Sequence, residues 1–154
     1  MKAYLESPVG VIEIEENDGY ITSVIFVEKR PQQENPENAI LDKAITQLQE
    51  YFAGNRKHFE LPLKQPGTAF QQKAWNYLST IPYGETVSYK TEAIAIGSPR
   101  GSRAVGSANG KNKLVIVVPC HRVINENGEL GGFAYDMDIK RHLLEMEKHY
   151  NKNI

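Results

Sequence analysis

The residues able to do chemistry gather in one short run. In LVIVVPCHRVIN, residues 114–125, five apolar side chains lead to Pro119, then come Cys120, the only cysteine of the chain, His121 and Arg122. A free thiol titrates near pH 8.5, so only a few per cent is thiolate at neutral pH, and the thiolate is the nucleophile. Burial at the end of an apolar strand raises that value further unless a base or a positive charge intervenes. His121 is the adjacent base. Neighbouring side chains on an extended segment face opposite ways, so contact between Cys120 and His121 needs a turn, which Pro119 signals, or a water between them. Two readings stay open on these residues alone: an inert buried cysteine, the usual state of a lone one, and an activated nucleophile.

The rest of the composition narrows the chemistry. One cysteine cannot form an intrachain disulfide, which fits a reducing, cytoplasmic setting. With His58, His121, His142 and His149 scattered along the chain, no zinc-like spacing arises and no metal site is expected. No apolar run approaches the ~18–20 residues that span a bilayer, and the N-terminal stretch turns acidic too early to read as a signal peptide, so no membrane partner is expected. The net charge of −1 excludes a uniformly basic polyanion binder, but its distribution is uneven. Residues 1–66 carry 7 basic and 11 acidic side chains, whereas residues 86–122 hold Lys90, Arg100, Arg103, Lys111, Lys113 and Arg122 against Glu92 alone. Such a local patch attracts polyanions, or is simply a solvated charged face.

The elements that must position the thiol follow from periodicity. Alternating apolar residues (Val11, Ile12, Ile14, then Ile21, Val24, Phe26) between turn signals at Pro8–Gly10 and Asn17–Gly19 predict an antiparallel meander. Ile40, Leu41, Ala44, Ile45, Leu48, Tyr51 and Phe52 fall at helical intervals over 38–53, and HFELPL can return a short strand. Composition and charge sign change at KQPGT, which divides the chain into 1–66 and 67–154. Thr68 with Gln71 predicts a capping box, and Phe70, Ala74, Trp75 and Leu78 a buried stripe, with Trp75 read as core. Residues 87–97 predict a short helix, and Ser98 followed by Pro99 caps and opens another, as in a helix-turn-helix. In that second helix Ala104, Gly106, Ser107, Ala108 and Gly110 are small, with Arg100 and Arg103 about a turn apart. Glycine costs about 1 kcal/mol in a helix interior, so close approach to another backbone is the expected return.

The motif VVPCHRVI resembles the active-site signature of the O6-alkylguanine-DNA alkyltransferases, the methylated-DNA–protein-cysteine methyltransferases. FQQKAWNYLSTIPYGETVSYKTEAIAIG is similar to the family's helix, turn and first half of its helix-turn-helix, SRAVGSANGKN to its recognition helix, and NGELGGFA and KRHLLEME to its substrate loop and closing helix. The likeness spans residues 67–147. It implies an α/β (α+β) fold: a small N-terminal antiparallel sheet-plus-helix domain, and a mostly helical, winged-helix-like C-terminal domain with the helix-turn-helix. It also implies a protein that binds duplex DNA containing O6-alkylguanine as a monomer, rotates the base out of the stack and moves its alkyl group irreversibly to its own cysteine, without cofactor or metal. Cys120 is then the acceptor, His121 the base acting through a water, Glu147 its orienting carboxylate and Tyr89 the proton donor to the leaving base. Arg103 fills the gap left by the flipped nucleotide, with Arg100, Ala104, Gly106 and Ser107 at the DNA. Asn112 ties the recognition helix to the active-site turn, and Arg122, Val123, Phe133, Ala134 and Tyr135 belong to the substrate pocket, where the backbone of Cys120 and Val123 accepts from the base.

Four positions depart from the family pattern. Tyr135 and Asp136 stand where two glycines are usual, Phe133 where tyrosine is common, and Lys113 where proline is expected. Bulk in the substrate loop implies a preference for methyl over benzyl-sized groups. The rival readings are a turning-over Cys-His thiol hydrolase, a sensor that binds alkylated DNA without repairing it, and a helix-turn-helix regulator. The first needs an oxyanion hole, for which no Gly-rich donor turn adjoins Cys120. Sensors of the second kind lack the cysteine. The third needs side chains that read base edges, which a helix of Ala, Gly and Ser does not supply.

Overall fold

The computed structural model describes residues 1–152. The N-terminal alternation folds as the meander it predicts. β1 (Lys2–Ser7), β2 (Gly10–Asn17) and β3 (Tyr20–Val27) pair antiparallel in the order β1-β2-β3. Asp18 and Gly19 both sit at positive φ, the two-residue connection whose twist matches that of a hairpin. Ile12, Ile14, Ile21 and Val24 are buried, as are Leu41, Ala44, Leu48 and Tyr51 on the inner stripe of α1 (Ala39–Phe52). Asn38 caps this helix, accepting from the backbone N–H of Ile40 and Leu41.

The strand expected in HFELPL is reduced to a single bridge between Ile21 and Leu63. Upstream of it the backbone of Glu60 finds a different partner. The buried Gln47 amide donates to the Glu60 carbonyl at 3.1 Å and accepts from the Glu60 N–H at 2.9 Å, copying a strand pair with one side chain.

The strand expected in LVIVV is likewise absent, although all five side chains are buried. Leu114 makes one bridge to Val24, flanked by hydrogen bonds from Val24 N–H to Lys113 O and from Val115 N–H to Val24 O. Then the chain turns twice. Val117 N–H donates to Val115 O across Ile116, which is held at φ +70°, and Cys120 N–H donates to Val118 O across Pro119 at φ −82°, ψ 68°. These are γ-turns of opposite hand. A β-branched residue at positive φ is a genuine outlier costing about 1–3 kcal/mol.

The chain forms two compact units, one of Met1–Gln65 with Lys113–Val117, the other of Pro66–Asn112 and the chain from Val118 on. In the second, Thr68 and Gln71 form the predicted capping box on α2 (Ala69–Leu78). Ala74, Trp75 and Leu78 are buried while Phe70 is partly exposed. The Trp75 indole N–H donates to Ala108 O, so Trp75 is core. Ser88 ends β4 (Val87–Ser88), which pairs parallel with β5 (Val123–Ile124), and caps α3 (Tyr89–Ala95).

α4 (Ser102–Gly110) starts later than Ser98-Pro99 predicts. Gly101 N–H bonds to Ser98 O, closing a turn through Pro99 and Arg100, and Gly101 O accepts the first helical bond from Val105. Arg100 therefore precedes the helix, and only Arg103 lies on it. α5 (Met137–Asn151) closes the chain, capped by Asp136, whose carboxylate accepts from Asp138 N–H. No helix among the described residues is long and apolar enough to cross a membrane.

Gln47→Leu should destabilise the first unit by about 1–3 kcal/mol in denaturant titration, because it strands the donor and the acceptor of Glu60. A change within a few tenths of a kcal/mol would show the pairing to be inconsequential.

Candidate active site

Cys120, His121 and Arg122 form one turn of 3₁₀ helix between Pro119 and β5. Three residues per turn aim consecutive side chains roughly a third of a circle apart, so the thiol and the imidazole do not point to opposite faces as a strand would have them. All three side chains are buried.

Glu147, from α5, organises the turn. Its Oε2 lies 2.6 Å from His121 Nε2, while its Oε1 accepts from Arg122 Nε at 2.8 Å and its Oε2 from Arg122 Nη2 at 3.2 Å. Gly84 N–H adds a longer bond to Oε1 at 3.3 Å. Arg122 also donates to Ile81 O and lies over the Tyr83 ring. Its guanidinium is thus committed to this network rather than presented to a pocket. Burial alone would raise the Glu147 carboxyl, but the His121 and Arg122 charges and hydrogen bonds outweigh it and hold Glu147 well below the usual carboxylate range. Tyr83 is pushed up to about 12 by burial and by the Glu147 charge. On the far side of the imidazole, His121 Nδ1 is buried with no partner among the described residues.

Burial pushes the Cys120 thiol up, against a hydrogen bond from Asn112 and the charge of Lys140. Asn112, just beyond α4, also donates to Val118 O at 2.8 Å, linking the helix end to the chain entering the turn. Lys140 is a site residue that sequence reading misses. It is fully buried, and its Nζ donates to Val123 O at 2.7 Å and Gly132 O at 2.9 Å. Burial lowers it to about 8, with the Cys120 charge acting in the other direction. The signal was present: Lys140, Leu143 and Glu147 are the buried residues of α5, at i, i+3 and i+7, but two of the three are charged and hide the stripe.

Tyr89 opens α3 and is walled by two glycines. A Cβ on Gly131 would lie 2.8 Å from the Tyr89 ring, and Gly131 sits at φ +73°, so no other residue fits there without displacement. Gly106 of α4 lies on the other side at ordinary contact distance. The Tyr89 hydroxyl donates to Gly132 O at 3.4 Å. Burial raises this phenol, and the Gly132 contact lowers it. The Val123 carbonyl accepts from Lys140, and the Cys120 carbonyl from Val123 N–H. On the loop beyond, Phe133 and Tyr135 pack edge to face at 5.7 Å, and Ala134 is exposed. Arg103, Ala104 and Ser107 are exposed on α4, opposite its buried Val105, Ala108 and Asn109, and Arg100 is exposed in the preceding turn.

Residues 69–149 match the DNA-binding domain of the 6-O-methylguanine DNA methyltransferases, and residues 1–65 match their ribonuclease-like domain. The chain belongs to this family. Among its methyltransferase relatives, the constitutive methylated-DNA–protein-cysteine methyltransferase of Bacillus subtilis is 47% identical over 93% of this chain and 92% of its own. That of Methanosarcina barkeri is 42% identical over 94% of both. The crystal structure of Mycobacterium tuberculosis OGT in complex with DNA superimposes with a TM-score of 0.88 at 41% identity, covering 97% of this chain and 93% of that one.

For this methyltransferase the buried carboxylate carries a pH signature. Its folded value lies below the ordinary 4.5, so its stabilisation is complete above about pH 4.5 and is lost as pH falls toward the depressed folded value. Glu147→Gln should cost about 3–5 kcal/mol at neutral pH, because Arg122 is left buried without its counter-charge, and should flatten the acid limb of stability against pH. An acid limb unchanged in the variant would contradict this assignment.

Proposed function

We propose that this chain repairs DNA by moving the alkyl group of O6-alkylguanine irreversibly to Cys120, acting once per molecule. As a member of its family it is a methylated-DNA–protein-cysteine methyltransferase. The observation that carries the residue assignment is the His121–Glu147 pair at 2.6 Å, one residue along the same turn from the thiol, with His121 Nδ1 unpartnered on its other side. A water at Nδ1 would pass the Cys120 proton to the imidazole, and Glu147 would stabilise the imidazolium so formed. The thiolate then attacks the alkyl carbon. The C–S bond forms, the C–O6 bond breaks, and its electron pair leaves with the guanine, which Tyr89 protonates. Lys140 favours the thiolate against the cost of burial. The product is a thioether that nothing in this arrangement hydrolyses.

Exposed Arg103, Ala104 and Ser107 give α4 a face with little bulk, suited to close approach in the minor groove. Arg103 would fill the gap of the rotated base, whose unstacking costs a few kcal/mol. The related M. tuberculosis protein solved with DNA supports a duplex partner. We take the protein to act as a monomer in a reducing cytoplasm, where Cys120 stays a thiol. The Phe133–Tyr135 ring pair favours methyl over benzyl-sized groups.

Incubation with O6-methylguanine duplex should add one methyl to the intact mass, mapped to Cys120, and then stop. An unchanged mass, or many lesions processed per molecule, would overturn the proposal. Cys120→Ser should retain DNA binding and lose transfer. Arg103→Ala should slow repair more than it weakens binding, and equal repair rates would remove the intercalating role. Comparable rates on O6-methylguanine and O6-benzylguanine would contradict the size preference.

A further inference from the structure

A second buried acid lies outside this machinery. Glu92, in the middle of α3, is fully buried, and Asn109 of α4 is nearly so. Asn109 Nδ2 donates to Glu92 Oε1 at 2.8 Å. The other two atoms of the same pair, Glu92 Oε2 and Asn109 Oδ1, are both buried and both lack a partner among the described residues. Both are acceptors, so nothing between them can bond while the carboxyl is ionised. One proton on Oε2 changes that: the acid donates to the amide oxygen while its carbonyl accepts from the amide N–H, and every polar atom of the pair is satisfied.

We infer that Glu92 is a positioning residue that works as a neutral acid, closing a two-way hydrogen-bonded clasp with Asn109 between α3 and α4. The clasp joins the helix that begins with Tyr89 to the helix that carries Arg103. It also keeps a negative charge away from the thiol, and for that consequence the inference rests on Cys120 being the acceptor.

The surroundings agree. From α2, Tyr77 faces Glu92; from its own helix, Tyr89; from the active-site turn, Cys120. Each is acidic, and the Glu92 charge raises all three. Lys73 of α2, Lys90 of α3 and Arg103 of α4 are exposed, and β4 and β5 bring no titratable side chain. A buried carboxylate without a cation is strongly disfavoured. Burial raises Glu92 to about 7, against the Asn109 hydrogen bond. With the folded value above the ordinary 4.5, the contribution to stability is complete below about pH 4.5 and is lost as pH rises through about 7.

Glu92→Gln tests this, because glutamine keeps the shape and offers a donor and an acceptor at every pH. Its melting temperature should fall less than that of the wild type between about pH 5 and 8. Alkylation of Cys120 by iodoacetamide, which needs no DNA, should proceed at similar rates in both proteins near pH 6 and roughly threefold faster in the variant near pH 8.5. Parallel melting curves and a rate ratio independent of pH would overturn the clasp. A variant that failed to fold would leave the wild type decisive: the Glu92 carboxyl carbon, followed by ¹³C NMR, should titrate near pH 7, and titration near 4.5 would refute the inference. None of these readouts depends on alkyl transfer from DNA, so they separate this failure from a failure of the proposed reaction.

Discussion

The site depends on a buried carboxylate shared between a guanidinium and an imidazole. Glu147 has almost no access to solvent, and ionised in isolation it would be untenable there. Arg122 makes its charge permanent, and His121 then finds a fixed anion at one ring nitrogen. Because Arg122 and His121 are adjacent on one 3₁₀ turn, a single side chain from α5 fixes the orientation of the whole turn, and with it the neighbouring thiol. The network also reaches the α2–β4 connection, through Ile81 O and Gly84 N–H. Segments far apart in sequence are thereby held to one carboxylate.

The approach to the turn is conformationally expensive. Two γ-turns in six residues bring the chain from Leu114 to Cys120, and one of them holds isoleucine at positive φ. Strain of this kind persists only where surroundings over-determine it. Here the flanking side chains are all buried, and the turns satisfy their own backbone groups locally. The tight path replaces a strand, and it frees Cys120 from the alternation that would have turned it away from His121.

Much of this was legible in the sequence where local rules govern. The meander, α1 and the capping box of α2 depend on periodicity and on neighbours three residues apart, and they formed as expected. Cys120 and His121 stood out by type, and Glu147 through family resemblance; alone it reads as an ordinary surface acid. What escaped were features set by tertiary context. Apolar, mostly β-branched residues at 114–118 promised a strand, but burial on all sides with one bridging partner allowed turns instead. Ser98-Pro99 carried the chemistry of a helix start, yet the turn closed by Gly101 delayed α4 and moved Arg100 off it. Lys140 and Glu92 are charged residues at core positions, which a hydrophobic pattern cannot flag.

The single indole of the chain has a practical consequence. Trp75 is buried, and its N–H is hydrogen-bonded to the α4 backbone at Ala108. Its emission is therefore an intrinsic gauge of how α2 and α4 sit together, readable without any attached dye. Docking of α4 on a polymer, or loosening of the helices around it, would register as a colour shift from one well-defined chromophore.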